Sequence, residues 1–275
     1  MKKFGFIGVG NMAGAMIGGL IGSGKAAPSD MIGSCRSEKS MERAKELYGI
    51  EVTDDNKKVA AECEILFLAV KPQMLDGVIG QIRDSVREDQ LLVSIAAGRS
   101  IDYYEKAFGN KNLHIVRLMP NTPALVGAAM TAACGSDPVT EEEMERVGEI
   151  VKTFGMFEIV PEKLFDAVTG VSGSSPAYVF MMLEAMADAA VAGGMPRAQA
   201  YRFAAQAVLG SAKMLLDTGK HPGELKDMVC SPAGTTIEAV RVLEEKGFRS
   251  AVIEGTKACI DRSAEMNASK NSSKS

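Results

Sequence analysis

The sequence predicts an α/β protein in two parts: a mostly parallel sheet flanked by helices, then an all-helical second part. Three observations predict it. Strand and helix signals alternate from the N-terminus to about Glu162. Ile65-Leu66-Phe67-Leu68-Ala69-Val70 is a continuous apolar run, the pattern of a central parallel strand buried on both faces. Beyond Glu162 strand signals vanish and long helical patterns take over. The expected divisions are residues 1–162, residues 163–266, and a polar, disordered tail over 267–275.

Residues 4–8 are a short apolar run behind two lysines and read as the first strand. Residues 12–20 follow as a helix, with Gly22 and Gly24 to end it. Residues 31–35 read as a second strand, and 38–48 as a helix closed by Gly49. After the buried run at 65–70, Pro72 suits the opening of a helix. Residues 91–95 and 114–119 are further strands. Thr140 with Glu143 forms a capping-box pattern that opens a helix reaching Thr153. Strands alternating with helices require right-handed crossovers, hence a mostly parallel sheet.

In the second part, residues 177–192 form a long helix rich in Ala and Met, ended by Gly193-Gly194. Pro196 suits the first turn of a helix running to about Asp217. Residues 225–229 make a short helical turn, and 236–245 and 248–266 complete the set. The 177–192 helix is apolar nearly all round, apart from Glu184 and Asp188. Such a helix is buried on most sides. A part of roughly 100 residues has little core of its own to bury it. Exchange or docking of helices between subunits is one reading, and a central helix within one subunit is the other.

Composition narrows the class. The 275 residues suffice for two modest domains or one large one. Hydrophobic residues at 46% and charged residues at 24% are ordinary for a globular protein. A net charge of −4 gives no bulk reason to expect nucleic acid as a partner. No apolar run reaches ~20 residues, so no membrane span is expected. Lys2, Lys3, an apolar stretch and Lys25-Ala26-Ala27 imitate a secretory signal, but glycines interrupt the stretch and Asn11 lies in its middle. The five cysteines are widely spaced without a C-x-x-C, and only His114 and His221 accompany them. That pattern is neither a disulfide framework nor a metal site, and it points to reduced thiols in a cytoplasm.

Gly8-Val9-Gly10-Asn11-Met12-Ala13 follows the first strand and opens the first helix, fitting G-x-G-x-x-G/A. Gly8 allows the tight turn, Gly10 lets backbone approach a pyrophosphate, and Ala13 with Gly14 permits close helix packing. In this context the motif predicts a Rossmann-like dinucleotide-binding domain. The end of the second strand reads Ser34-Cys35-Arg36-Ser37, with no carboxylate before Glu38. A guanidinium and hydroxyls suit a 2′-phosphate, so NADPH is the expected cofactor, with NADH as the alternative. Asn56 either caps a helix or reaches the adenosine side. Ala69-Val70-Lys71-Pro72-Gln73 ends the buried strand, where backbone groups line the ligand crevice, and no catalytic role falls to Lys71. Ser94-Ile95-Ala96-Ala97-Gly98 is a similar exit whose small residues admit a flat ring. Asn121, beyond the 114–119 strand, is either a cofactor or substrate contact or a turn residue.

A second anion seat lies near the other end. Ser231-Pro232-Ala233-Gly234-Thr235-Thr236 runs straight into an amphipathic helix, where free N–H groups and the helix dipole converge. An ordinary capped helix start is the plain alternative.

Taken together, these motifs resemble the pyrroline-5-carboxylate reductase family along essentially the whole chain. The resemblance runs from Gly8-Val9-Gly10-Asn11-Met12 through Ala69-Val70-Lys71-Pro72-Gln73 to Arg117-Leu118-Met119-Pro120-Asn121-Thr122-Pro123. It continues in Gly173-Ser174-Ser175-Pro176-Ala177-Tyr178 and ends in Asp227-Met228-Val229-Cys230-Ser231-Pro232-Ala233-Gly234-Thr235-Thr236. Three small residues depart from the usual pattern: Ser175 and Ala233 where glycine is usual, and Cys230 where threonine is usual. They bear on the shape of the pocket more than on the reaction.

The resemblance implies a dinucleotide-binding domain and a helical dimerisation domain that intertwines two subunits, the dimers often assembling further, commonly into decamers. It implies reduction of the cyclic imine 1-pyrroline-5-carboxylate to L-proline with NADPH or NADH. It places the substrate carboxylate on the loop from Ser231 through Gly234 and Thr235, and the ring nitrogen against Thr236. The residues agree: N–H groups at Gly234 and Thr235 suit a carboxylate, and the Thr236 hydroxyl both donates and accepts. Hydride addition to a protonated C=N needs position and a dry pocket more than a strong acid. Two rivals stand beside this reading. A 3-hydroxyacid dehydrogenase needs a helical-domain lysine, for which Lys213 is the nearest candidate. A non-enzymatic NADP(H) sensor would not need the seat at Ser231 to Thr236.

Overall fold

The apolar run at the heart of the sequence becomes β4 of an eight-stranded sheet in the computed structural model, which describes residues 1–272. Its first half comprises β1 (Lys2–Ile7), α1 (Asn11–Gly22), β2 (Met31–Ser34), α2 (Glu38–Tyr48), β3 (Glu51–Thr53), α3 (Asn56–Glu62) and β4 (Cys63–Leu68). Next come α4 (Leu75–Ile82), β5 (Leu91–Ser94), α5 (Ile101–Phe108), β6 (His114–Met119), β7 (Ala129–Gly135), α6 (Glu141–Val151) and β8 (Gly155–Ile159). The strand order is β3-β2-β1-β4-β5-β6-β7-β8. All neighbours run parallel except β6 and β7. The order turns back beside β1, so β1 and β4 flank the switch point at which open α/β sheets bind ligands.

The register explains the apolar pattern of residues 65–68 of β4. Phe6 lies opposite Phe67, and the two rings stack with centroids 4.7 Å apart. Both belong to the core on the α1 and α6 face, with Met16, Ile17, Val147 and Phe154. Their neighbours Ile7, Leu66 and Leu68 enter a second core with Leu75, Ile79 and Tyr104 on the opposite face. With both faces covered, no position in the run is free to be polar.

Ser37 caps α2, accepting the Ser40 N–H, and Gly49 closes it at φ +65°. The Thr140–Glu143 capping box forms as expected. Strands β3, β7 and β8 fall where the sequence shows no clear strand pattern. β3 has only three residues, and β7, Ala-Met-Thr-Ala-Ala-Cys-Gly, is rich in residues of low strand propensity. β7 is held extended by pairing with β6 on one side and β8 on the other.

The described chain divides into two compact units, Met1–Gly173 with the last helix from Ile260, and Ser174–Cys259. The composition changes at Glu162, within the first of these units. The short α7 (Phe165–Val168) and a π turn (Thr169–Gly173) still belong to the first unit. Phe165 is buried beside Ala132 and Cys134, with the Arg117 guanidinium 4.2 Å from its ring centroid. Arg117 Nη1 donates to Glu162 Oε1 at 2.9 Å.

The second unit comprises α8 (Ser175–Ala192), α9 (Arg197–Thr218), α10 (Pro222–Val229), α11 (Thr235–Glu245) and the first part of α12 (Phe248–Ser272). α8 packs along α9, yet of its residues only Ala187 is buried. Phe180 of α8 and Phe203 of α9 are each 62% exposed. The apolar α8 is therefore not a helix buried at the centre of its own chain. An apolar groove of about 1110 Å3 runs between α8, α11 and α12, lined by residues including Met182, Val242 and Phe248.

The expected disordered tail is corrected over residues 267–272, where α12 continues to Ser272. Within α12, Ser263 Oγ and Asn267 Nδ2 donate to Asp166 Oδ1 at 2.6 and 2.7 Å. Residues 273–275 of that expectation lie outside the described residues. Among the described residues, no helix is long and apolar enough to cross a membrane.

Candidate active site

A cleft of about 700 Å3 opens at the C-terminal ends of β1, β2 and β4. Gly8 leaves β1 at φ +93°, where a Cβ would lie 2.7 Å from Val70 Cγ1. The N–H groups of Gly8 and Val9 both donate to the Ser34 carbonyl at 3.1 Å, locking the glycine turn to β2. A Cβ on Gly10 meets no atom within 4 Å. Packing therefore does not demand glycine there, whereas close approach of a diphosphate to the helix start does. Ala13 is buried in the core, and a Cβ on Gly14 would lie 2.3 Å from Tyr48 Oη, so Gly14 serves packing against α2.

Ser34, Arg36, Asn56, Ala69, Val70 and Lys71 line this cleft with Gly8 and Gly10. Asn56 does not cap α3. Asp55 does, its Oδ1 accepting the Lys57 N–H at 2.8 Å. Asn56 is the first helical residue, and its amide accepts from Ser34 Oγ at 2.6 Å and donates to Gln81 Oε1 at 2.7 Å. Arg36 is exposed beside the start of α2, where Ser37 and Ser40 share a 2.9 Å hydroxyl contact. A cation and hydroxyls at a helix start suit a phosphate. Asp54, a carboxylate that the sequence pattern did not single out, also lines the cleft.

The remaining expected cofactor residues are not on the walls of this cleft. Asn11 lines a smaller cavity of about 160 Å3 with Gly10, Ser40 and Arg43. Met12 packs against the core. Pro72 starts a short 3-10 turn, and its carbonyl accepts from Arg99. Ala96 is buried, Ala97 exposed, and Gly98 turns at φ +71° beyond β5. Asn121 follows β6, and its side chain makes two hydrogen bonds within the chain. Its Nδ2 donates to the Ser172 carbonyl at 3.2 Å, and its Oδ1 accepts the Met130 N–H at 3.0 Å.

The second seat stands at the start of α11. Gly234 is its N-cap residue, with no side chain capping the helix. One expectation is corrected: the Gly234 N–H is not available to a carboxylate, since it donates to the Ser231 carbonyl at 3.1 Å. That closure draws the turn so tight that a Cβ on Gly234 would lie 2.3 Å from Ser231 Oγ. The unpaired donors of a helix start therefore begin at Thr235. Ala233 adopts φ +56°, the one left-handed non-glycine among the described residues. Thr236 is half-buried, while Ser231 and Thr235 are exposed.

Other ionisable groups are committed elsewhere. His114 Nδ1 pairs with Glu143 Oε2 at 2.8 Å, and His221 Nδ1 accepts the Gly223 N–H at 3.1 Å to cap α10. Lys213 Nζ pairs on the surface with Asp217. The five cysteines are free thiols. Burial pushes those of Cys63 and Cys134 up to about 12.

A doubly wound sheet with a glycine turn at its switch point, followed by a helical unit, defines an α/β oxidoreductase of the dinucleotide-dependent class. Residues 3–98 match the family described as NADP oxidoreductase coenzyme F420-dependent, and residues 162–266 match pyrroline-5-carboxylate reductase dimerisation. The chain is 53% identical over 268 residues to pyrroline-5-carboxylate reductase of Escherichia coli K12, covering 98% of this chain and 99% of that one. A Coxiella burnetii pyrroline-5-carboxylate reductase structure superimposes with TM-score 0.89 at 33% identity, covering 96% and 98%. The Plasmodium falciparum pyrroline carboxylate reductase structure, with NADP bound, gives TM-score 0.87 at 28% identity, covering 97% and 98%. The chain belongs to the pyrroline-5-carboxylate reductase family.

Proposed function

We propose that this chain reduces 1-pyrroline-5-carboxylate to L-proline, the last step of proline biosynthesis, in the cytoplasm and with NADPH preferred over NADH. The observation that carries this reading is the pair of helix starts within one chain. One, at Gly8 to Ala13, suits a diphosphate, and the other, at Ser231 to Thr236, suits a small carboxylate. Residues 1–162 carry the cofactor site and 163–266 the substrate seat and subunit contacts.

Bound NADPH supplies the hydride. The chain's part is to hold the reactants. Gly8, Gly10, Asn11 and Met12 take the diphosphate end, and Ser34, Arg36 and Asn56 the adenosine end. Ala69, Val70, Lys71, Pro72, Ala96, Ala97, Gly98 and Asn121 lie toward the nicotinamide side. The first-turn N–H groups of α11 hold the substrate carboxylate, and the Thr236 hydroxyl faces the ring nitrogen and keeps its proton in place. Dimers form through the exposed apolar faces of α8 and α9 and the groove beside α11 and α12, and assemble further, up to a decamer.

The test is direct. Purified protein is mixed with NADPH and synthetic 1-pyrroline-5-carboxylate while nicotinamide absorbance is followed. Oxidation of NADPH dependent on the imine is expected. NADPH binding without turnover would leave the sensor reading instead. Thr236→Ala slows turnover without weakening NADPH, and an unchanged rate removes Thr236 from the mechanism.

A further inference from the structure

Arg99 follows the left-handed Gly98 and is only 8% exposed. Its Nη2 donates to the Pro72 carbonyl at 3.3 Å and lies 3.5 Å from Asp76 Oδ2. Its guanidinium carbon stands 4.2 Å from the centroid of the Tyr103 ring. Tyr103 closes the arrangement, its Oη donating to the other Asp76 oxygen at 2.6 Å. These contacts tie together three pieces of chain that are remote in sequence. They are the loop after β4 at Pro72, the first turn of α4 at Asp76, and the loop after β5 with the start of α5.

We propose that Arg99 is a positioning residue, which sets the spacing between the loops after β4 and β5 so that the nicotinamide end of the cofactor is held for hydride transfer. The proposal rests on the cofactor placement given above. Arg99 does not line the cleft; its neighbours across the clamp do. Lys71, Gln73, Met74 and Gly77 surround Pro72 and Asp76 in sequence, and all four line it. In an open α/β sheet these two strand exits sit side by side at the carboxyl edge, where the ligand lies. Transfer between bound reactants is sensitive to displacements of about 1 Å, which can cost on the order of 100-fold.

The arrangement is poorly suited to a purely stabilising role. Arg99 Nε is buried without a hydrogen-bond partner, an expense that an apolar side chain would avoid. Buried ion pairs are often replaced by apolar residues with little loss of stability. Asp76 is 48% exposed at its side chain, so removing Arg99 leaves no buried carboxylate stranded. Burial, and then Asp76, pushes the Tyr103 hydroxyl above its ordinary range, so it remains a donor at any working pH.

The experiment compares Arg99→Met, Arg99→Lys and Tyr103→Phe with the parent protein. Turnover number and NADPH KM are measured, together with calorimetric binding of 2′,5′-ADP, which carries the phosphorylated adenosine but no nicotinamide. Arg99→Met is expected to lower kcat about 10- to 100-fold while 2′,5′-ADP binds as in the parent. Arg99→Lys does not rescue, because an ammonium lacks the planar guanidinium that stacks on Tyr103 while its Nη2 reaches both Pro72 and Asp76. Tyr103→Phe keeps the ring and loses one hydrogen bond, so it shows a smaller fall in kcat. Unchanged kcat in Arg99→Met, or an equal loss of 2′,5′-ADP affinity, overturns the proposal. If the parent binds 2′,5′-ADP but not NADPH, the cofactor placement itself fails, and the clamp with it.

Discussion

Ser34 and Asn56 are bonded to each other: the Ser34 hydroxyl donates to the Asn56 amide oxygen at 2.6 Å, joining the end of β2 to the start of α3. Ser34 is buried and Asn56 is engaged again by Gln81, so both groups are largely spent on shaping the cleft. Arg36, exposed and lining the same cleft, is the guanidinium proposed above for a 2′-phosphate.

Arg36→Ala is therefore expected to weaken NADPH about 10- to 100-fold, the size of a charge-assisted hydrogen bond, while NADH changes little. Equilibrium fluorescence titration with the two nucleotides measures the ratio. A parallel loss for both nucleotides would assign Arg36 a structural role. Asp54→Asn serves as the opposite probe, since a carboxylate in the same cleft repels a phosphate.

Ala233 stands at φ +56°, a conformation that costs an alanine about 1 kcal/mol and glycine almost nothing. Ala233→Gly is expected to raise the chemical denaturation midpoint slightly, the gain reduced by the greater freedom of glycine in the unfolded chain. The reverse change one residue on, Gly234→Ala, puts a Cβ against Ser231 and is expected to raise the substrate KM.

Cys63 and Cys134 are held as thiols by burial, with pKa values pushed up to about 12. Iodoacetamide at pH 8 is expected to leave both unmodified in the native protein and to label them on unfolding, as peptide mass spectrometry reads. The same shift has a stability consequence. The folded thiols keep their protons above pH 9, where the unfolded ones release them. Their contribution is fully present below the ordinary thiol value and declines as pH rises from 9 toward 12.

Phe180 on α8 and Phe203 on α9 are large, apolar and exposed in the single chain. Phe180→Asp is expected to convert dimer to monomer in sedimentation analysis, because a desolvated carboxylate at an apolar interface is strongly unfavourable. A dimer that survives the change would exclude this face of α8 from the interface.

The sequence patterns that proved readable were those with a local cause. Gly49 closes α2 and the Thr140–Glu143 box opens α6 because caps act on adjacent residues. Gly8 announces the tight turn after β1 for the same reason. β7 was hidden because its alanines carry no strand preference, and only its pairing with β6 and β8 makes it extended. The Arg99, Asp76 and Tyr103 cluster was hidden for a related reason, as its members meet only when two strand exits come together.

Asp166 receives both Ser263 and Asn267, so the chain leaving the first unit and the chain returning to it are tied at a single carboxylate. In topological terms the segment Ser174–Cys259 is an insertion with its two ends fastened, not a trailing appendage. A fastened loop has already paid its closure entropy, so that segment unfolds into a smaller ensemble than a free tail of equal length. Cutting the chain after Cys259 would turn the insertion into a loose end, removing the constraint without deleting any residue of the second unit.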